Sequence, residues 1–256
     1  EGEGEGEPID GPTVVMESIA PALTNLAPIP VSVTFSRPVA DFEAVDILAV
    51  NGTVMNLVAG GGGMGGGGGA AGGGGGGAAK AAPAYSASYS FDLYPADQGE
   101  VGTDIPANAA HDENGAGNQA APPFRRVYDG VPPSVALAPV QPDLRNMPVI
   151  AIEIAFTEPV THFDLADLAL SRDGGSNLIA GAQSLATVDS IHWTLAGLDA
   201  ITAETGHYLL TLDAADITDL AGNAVTGGGA VEWTMDTVCP AVTCIESDPS
   251  GITHAR

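Results

Sequence analysis

The stretch VSVTFSRPVADFEAVDI, residues 31–47, returns 121 positions later as IEIAFTEPVTHFDLADL, residues 152–168, and this pair decides the fold. Phe35 stands over Phe156, Pro38 and Val39 over Pro159 and Val160, Phe42 over Phe163, and Asp46 over Asp167. In both copies apolar residues take every second position. Val31, Val33 and Phe35 alternate with Ser32 and Thr34, and Ile152, Ile154 and Phe156 alternate with Glu153 and Ala155. Successive side chains of an extended chain point to opposite faces, so a period of two predicts half-buried strands. YSASYSFDL continues the pattern, with Tyr85, Ala87, Tyr89, Phe91 and Leu93 expected inward. So do Ile191/Trp193/Leu195, Tyr208/Leu210/Leu212 and Val231/Trp233/Met235, in which the tryptophans read as core fillers. About seven short strands per copy, separated by Gly, Asn, Asp and Pro turns and with no long helical period, predict an all-β chain of antiparallel β-sandwiches.

Working outward, His111-Asp112 through Gly117-Asn118 matches Thr218-Asp219 through Gly222-Asn223, and Asp129 matches Asp236, with Asp112 and Asp129 each 107 positions before its counterpart. The lost 14 positions fall across Gly60–Gly77, where 15 of 18 residues are glycine, so the first copy carries an insertion there. Proline-led openings at Pro12-Thr13-Val14, Pro133-Ser134-Val135 and Pro240-Ala241-Val242 mark three starts. The expected organisation is an acidic linker over residues 1–9, a first domain over 10–130 with its glycine loop at 60–77, a second over 131–236, and a truncated start of a third over 237–256. An opening at Glu1 rather than methionine reads as a processed or excised piece.

Composition narrows the function. The 256 residues hold 32 acids against 7 bases, a net charge of −25, which repels nucleic acid and anionic lipid and favours divalent cations. No run of about 18 apolar residues offers a membrane span. The glycine run is not a phosphate-binding loop, because that motif ends in Gly-Lys-Ser/Thr and Lys80 sits between Ala79 and Ala81. Neither a His-Glu-x-x-His nor a Gly-x-Ser-x-Gly signature occurs.

Taken together, Thr34-Phe35-Ser36-Arg37-Pro38-Val39, Asn51-Gly52, Asp219-Leu220-Ala221-Gly222-Asn223 and Trp233-Thr234-Met235-Asp236 resemble the bacterial Ig-like domain repeats of large secreted surface proteins and adhesins. Such repeats also occur in algal surface filament proteins. The resemblance covers residues 12–130 and 133–236 and implies tandem Ig-like antiparallel β-sandwiches. It also implies an extracellular, cell-surface location and a spacer, stalk or adhesive role with no catalytic site. The glycine insertion, the longer turn Asp112–Asn118 and Cys239, where a small residue is usual, depart from the pattern.

The strongest candidate for chemistry is calcium, which takes six to eight oxygens from Asp, Asn and carbonyl groups. Asp112 and Asn118 in the first copy, Asp216, Asp219 and Asn223 in the second, and the junction residues Asp129 and Asp236 are the expected ligands, which would stiffen the domain junctions. Asp-x-x-Gly-Asn is equally what a tight turn requires. Asp46 and Asp167 read as turn aspartates rather than a catalytic pair, because they lie in different copies. His192 and His207 face outward, possible neighbours but a weak metal pair. Cys239 and Cys244 are too far apart along an extended strand to bridge each other. Asn51-Gly52-Thr53 is a glycosylation acceptor only in a eukaryotic secretory pathway. Expected partners are neighbouring Ig-like domains, with lateral self-assembly or a surface glycan or protein beyond them. The alternative function is a module that recognises a glycan or surface protein through its sandwich-end loops.

Overall fold

The computed structural model describes residues 10–60 and 85–241. The acidic start over residues 1–9, residues 61–84 with most of the glycine run, and residues 242–256 with Cys244 lie outside the described residues. The chain divides into two compact units. One runs to Pro132 and takes in Leu220–Asn223; the other comprises Pro133–Asp219 and the residues from Ala224 onward.

In the first unit the strands are β1 (Val14–Glu17), β2 (Leu23–Thr24), β3 (Ile29–Ala40), β4 (Leu48–Val50), β5 (Gly52–Ala59), β6 (Ser86–Pro95), β7 (Gly99–Asp104), β8 (His111–Asp112) and β9 (Phe124–Tyr128). They form two sheets, β1-β3-β6-β5 and β2-β9-β7-β4, with β8 paired to the end of β3. All neighbours are antiparallel except β2 and β9, which run parallel. Val31, Val33, Phe35, Tyr89, Phe91 and Leu93 from one sheet and Val101 and Phe124 from the other share one buried core.

The second unit contains β10 (Val135–Leu137), β11 (Leu144–Arg145), β12 (Ala151–Phe156), β13 (Val160–Thr161), β14 (Leu168–Arg172), β15 (Ser184–Thr187), β16 (His192–Ala196), β17 (Gly206–Leu212), β18 (Thr218–Asp219) and β19 (Gly229–Met235). Its sheets are β10-β12-β16-β15 and β11-β19-β17-β14, again with one parallel pair, β11 with β19. The plan is that of the first unit strand for strand. Both are Ig-like β-sandwiches. Four strands follow one another in each of the two sheets of either unit, with β8 added beside β3 in the first, rather than the seven or so per copy that the turn spacing suggested. The reason is that the lead segment divides: β1 edges one sheet and β2 the other, with Pro21 in the crossing.

Proline also explains where β3 breaks. Pro38 has no N–H for the ladder, and the β3–β6 register shifts between Thr34 and Val39. At the equivalent Pro159 the second copy separates its strand into β12 and β13. The shift alters one expected alternation: Ser86 turns inward and Tyr85 outward. The Ser86 hydroxyl is satisfied: it lies within donating distance of the carbonyls of Gly60 and Ser88 and accepts from the Ser88 N–H.

Each core is keyed by an aromatic triad. Phe35, Phe42 and Tyr89 meet edge to face at 5.0–5.8 Å, and Phe156, Phe163 and Trp193 do so at 5.0–5.2 Å. Tyr89 lies opposite Val33 and Trp193 opposite Ile154, so the third ring occupies one structural position with two identities. Burial raises the Tyr89 pKa, with Asp41 adding to the effect, and its hydroxyl donates to the Val39 carbonyl. Edge-to-face pairs add roughly 0.5–1.5 kcal/mol each beyond the area they bury.

Candidate functional site

The residues singled out by sequence gather at one turn in each sandwich. In the first, β8 pairs with the end of β3, setting Asp112 opposite Val39; in the second, β18 pairs with β13, setting Asp219 opposite Val160. Asp112 and Asp219 are thus structurally equivalent, and both are buried at 4% exposure. Gly115 at φ +77° and Gly222 at φ +95° take the left-handed backbone that these turns need.

In the first sandwich the acidic group is committed. Asp112 Oδ1 accepts from the backbone N–H groups of Asn114 and Ala116 at 2.9 and 3.0 Å. Its Oδ2 lies 3.2 Å from the Arg37 guanidinium, close enough for charge attraction but not aligned as a hydrogen bond. Asn118 is equally committed: its Oδ1 accepts from Ala110 N and its amide donates to the carbonyls of Pro106 and Gln119. Asp112 and Asn118 therefore hold the turn together, and Arg37 adds an ion pair to Asp112 from β3.

The second sandwich keeps the turn and changes its charge. Glu158 stands two residues before Val160, as Arg37 stands two residues before Val39. Carboxylate oxygens of Glu158 and Asp219 come within 4.8 Å of one another. The sequence reading missed Glu158, although its alignment over Arg37 was visible in the repeat.

The other expected ligands make the following bonds. Asn223 donates its amide to the Asp129 carbonyl at 2.8 Å, and Asp129 Oδ1 accepts from Val131 N. Asp236 is exposed and accepts from Val238 N. Asp216 is exposed, and its charge acts on Asp167 together with those of Asp164 and Asp213. Burial is the main cause that raises the Asp167 pKa.

Asp46 and Asp167 each reach back three residues, to the N–H of Glu43 and of Asp164, both at 2.8 Å, closing reciprocal caps on short 3-10 turns at Ala44–Asp46 and Leu165–Asp167. His192 and His207 are not neighbours. His192 lies on β16 and His207 on β17, which belong to opposite sheets, because the chain crosses from one sheet to the other between them. His192 instead pairs with Asp189, whose carboxyl the imidazole and two backbone N–H groups hold well below the usual carboxylate range. Asn51 has a positive φ of 48° and donates its amide to the carbonyls of Asp97 and Glu100, so the sequon nitrogen is occupied in the folded chain. Cys239 is exposed. A cavity of about 520 Å³ lies beside the Arg37–Asp112 pair, lined also by Pro38, Tyr85, Ala87 and Asn114.

The decisive comparison follows from this second sandwich. Residues 129–235 match the bacterial Ig-like domain family. Asp129, Glu158, Asp219 and Asn223 thus all fall within the matched bacterial Ig-like domain. No curated protein matches the chain.

Solved structures with a similar fold include a three-Ig structure of titin domains, an E-to-A mutated variant, at 10% identity and a TM-score of 0.38, covering 89% of this chain and 64% of that one. The full ectodomain of mouse nectin-like molecule 4 matches at 13% identity and a TM-score of 0.29, covering 88% of this chain and 63% of that one. Native alpha-2-macroglobulin from Escherichia coli matches at 14% identity and 0.26, covering 86% and 71%. The chain therefore spans less than two thirds of the titin structure. Among the described residues no helix is long and apolar enough to cross a membrane.

Proposed function

We propose that the chain is a non-enzymatic segment of an extracellular, cell-surface protein, a stalk or filament building block in which Ig-like sandwiches repeat along the polypeptide. The observation that supports this most is the reuse of one plan: strand order, parallel pair, aromatic triad and capped 3-10 turn recur in both copies. A spacer needs modules that each fold on their own core, and each sandwich has one. Charge supports it too. Each described arginine is engaged within its own sandwich: Arg37 with Asp112, Arg125 with Asp104, Arg126 with the Ala20 carbonyl and the Phe124 ring, Arg145 with the carbonyls of Met147 and Pro148, and Arg172 with Glu204. Pulling the chain by its ends in a force spectrometer tests the reading. Two separate unfolding events are expected, each releasing on the order of 30–40 nm for roughly 100 residues at about 3.3–3.6 Å apiece. A single merged event, or extension without resistance, would sink it.

Calcium stiffening belongs, in this reading, to the second repeat. The observation that favours it is Glu158 at the place of Arg37, with its carboxylate within 4.8 Å of that of Asp219. Hard oxygen donors of this kind suit calcium. The glycan- or protein-binding alternative is favoured by the cavity beside Tyr85 and Arg37. A glycan array probed with the wild-type chain and with Tyr85→Ala separates the two, since a spacer gives no signal that depends on Tyr85.

A further inference from the structure

The Asp112 turn borders the cavity of about 520 Å³ in the first sandwich, whose walls include Arg37 and Pro38 from β3, Tyr85 from the approach to β6, and Glu113 and Asn114 from the turn itself. Position by position, the second sandwich lacks the groups that shape it. Val39 pairs with Ser86, and the Val160 N–H bonds to the Ser190 carbonyl, so Tyr85 corresponds to Asp189 as Arg37 corresponds to Glu158. The turn of the second copy is two residues shorter, Asp219 to Asn223 against Asp112 to Asn118, and sets Leu220 and Ala221 after the aspartate in place of Glu113 and Asn114. An aromatic ring, a cation and an amide thus stand together in one repeat, beside a turn that forms without them in the other.

Their side chains are uncommitted or partly so. Tyr85 is 42% exposed, and among the described residues none bonds to the side chain of Tyr85, Glu113 or Asn114. The Arg37 side chain is 40% exposed, with Asp112 holding Nη2 at 3.2 Å.

Charge narrows the ligand. Asp112 cancels Arg37, and Glu113 leaves the lining with a net negative charge in a chain of −25, so carboxylate, sulfate and phosphate groups are repelled. The guanidinium at the wall repels an ammonium group. What fits is a neutral molecule with an apolar face for Tyr85 and Pro38 and with groups that both accept and donate, for Arg37, Glu113 and Asn114. The hydroxyls of a sugar ring do both, and its C–H face is apolar. An extended peptide docks by adding to an open ladder edge, but Val39, beside the cavity, is already paired on both sides, to Ser86 and to Asp112.

We propose that this cavity binds a neutral saccharide ring, with Tyr85 stacked on the sugar and Arg37, Glu113 and Asn114 bonded to its hydroxyls. Asp112 is a positioning residue that sets the guanidinium. The inference rests on the binding-module reading of the first sandwich and names its ligand class; the second sandwich has no such site.

The test is a heteronuclear NMR titration of the full chain with the methyl glycosides of glucose, galactose and mannose, beside glucuronate and methylammonium. Ligands this small bind such sites with dissociation constants on the order of 1 mM. At least one glycoside is expected to saturate in that range and to shift the amide signals of Ala87, Glu113 and Asn114, with glucuronate and methylammonium about tenfold weaker or more. Tyr85→Ala and Asn114→Ala should each weaken binding by about fivefold or more, the scale of one aromatic or hydrogen-bond contact. Tyr85→Phe should retain it, and Tyr94→Ala, at another part-exposed tyrosine, should leave it unchanged. The amide spectrum of each variant shows that the sandwich is retained. Glycoside binding that is indifferent to Tyr85→Ala overturns the proposal. If glucuronate or methylammonium alone binds, and does so through Tyr85, the saccharide assignment falls and the binding-module reading stands; if none of the five probes binds, both fall.

Discussion

Arg37 lies 3.2 Å from the buried carboxylate of Asp112, and at the place of Arg37 in the second sandwich stands Glu158, beside the equivalent Asp219. The two repeats thus share a turn and differ in the charge of the side chain beside its buried carboxylate. Removing Arg37 would strand a charge that is almost fully buried. Breaking a buried pair from one side costs about 3–5 kcal/mol, but Arg37 is itself part exposed and two backbone N–H groups still hold Asp112, so Arg37→Met is expected to cost about 2 kcal/mol. Asp112→Asn keeps an acceptor for Asn114 and Ala116 and should cost about 1 kcal/mol. Denaturant unfolding should show both losses in the transition of the first sandwich and leave the second unmoved.

The converse exchange tests the cation reading. Glu158→Arg recreates in the second sandwich the pair found in the first. Titrating calcium into the chelated wild-type chain should raise the melting temperature of the second sandwich, by about 2.7 kcal/mol of stabilisation at a hundredfold excess over the dissociation constant. In Glu158→Arg the calcium response should vanish while stability without calcium holds or rises. An equal calcium response in both chains would remove Glu158 from the site.

Asn118 is a structural anchor by the bonds it makes. Its side chain, 1% exposed, closes the turn through Ala110, Pro106 and Gln119. Asn118→Ala leaves buried donors and acceptors unmet at about 1–3 kcal/mol for each group. A loss of about 3 kcal/mol in the first sandwich, with no change in any calcium response, is the expected calorimetric result.

Much of the fold was legible because the chain states it twice. Phe35 over Phe156 and Phe42 over Phe163 placed two members of each aromatic triad from alignment alone, and the period of two placed Tyr208, Leu210, Trp233 and Met235 in the core, where all four are buried. Tyr89 and Trp193 share the third triad position, but their different identities hid it until the strand registers aligned them. The turn sites were legible as positions and not as chemistry, because Asp-x-x-Gly-Asn serves a tight turn and a cation equally well. The residue beside each turn carboxylate, Arg37 on β3 or Glu158 between β12 and β13, lies some 61–75 positions away in sequence. The same non-locality put His192 and His207 on different sheets.

Two aspartates of the second sandwich should respond to acid in opposite senses. The folded pKa of Asp167 is raised, chiefly by burial and further by Asp164, Asp213 and Asp216. Its ionised form therefore weakens the fold at neutral pH, and that penalty is relieved as pH falls through the folded pKa towards the ordinary carboxylate value. Asp189 is lowered by His192 and by the N–H groups of Ile191 and His192. It contributes stability above the ordinary carboxylate value, and this is lost only as pH falls through its depressed folded pKa. Asp167→Asn keeps an acceptor for the Asp164 N–H while removing the charge, and it should stabilise the second sandwich at pH 7 by about 0.5 kcal/mol, the scale of a solvent-screened interaction. Asp189→Asn should lower its melting temperature at pH 7. Melting curves from pH 3 to pH 8 decide both: the advantage of Asp167→Asn over wild type must shrink towards pH 4, whereas the deficit of Asp189→Asn must persist below it.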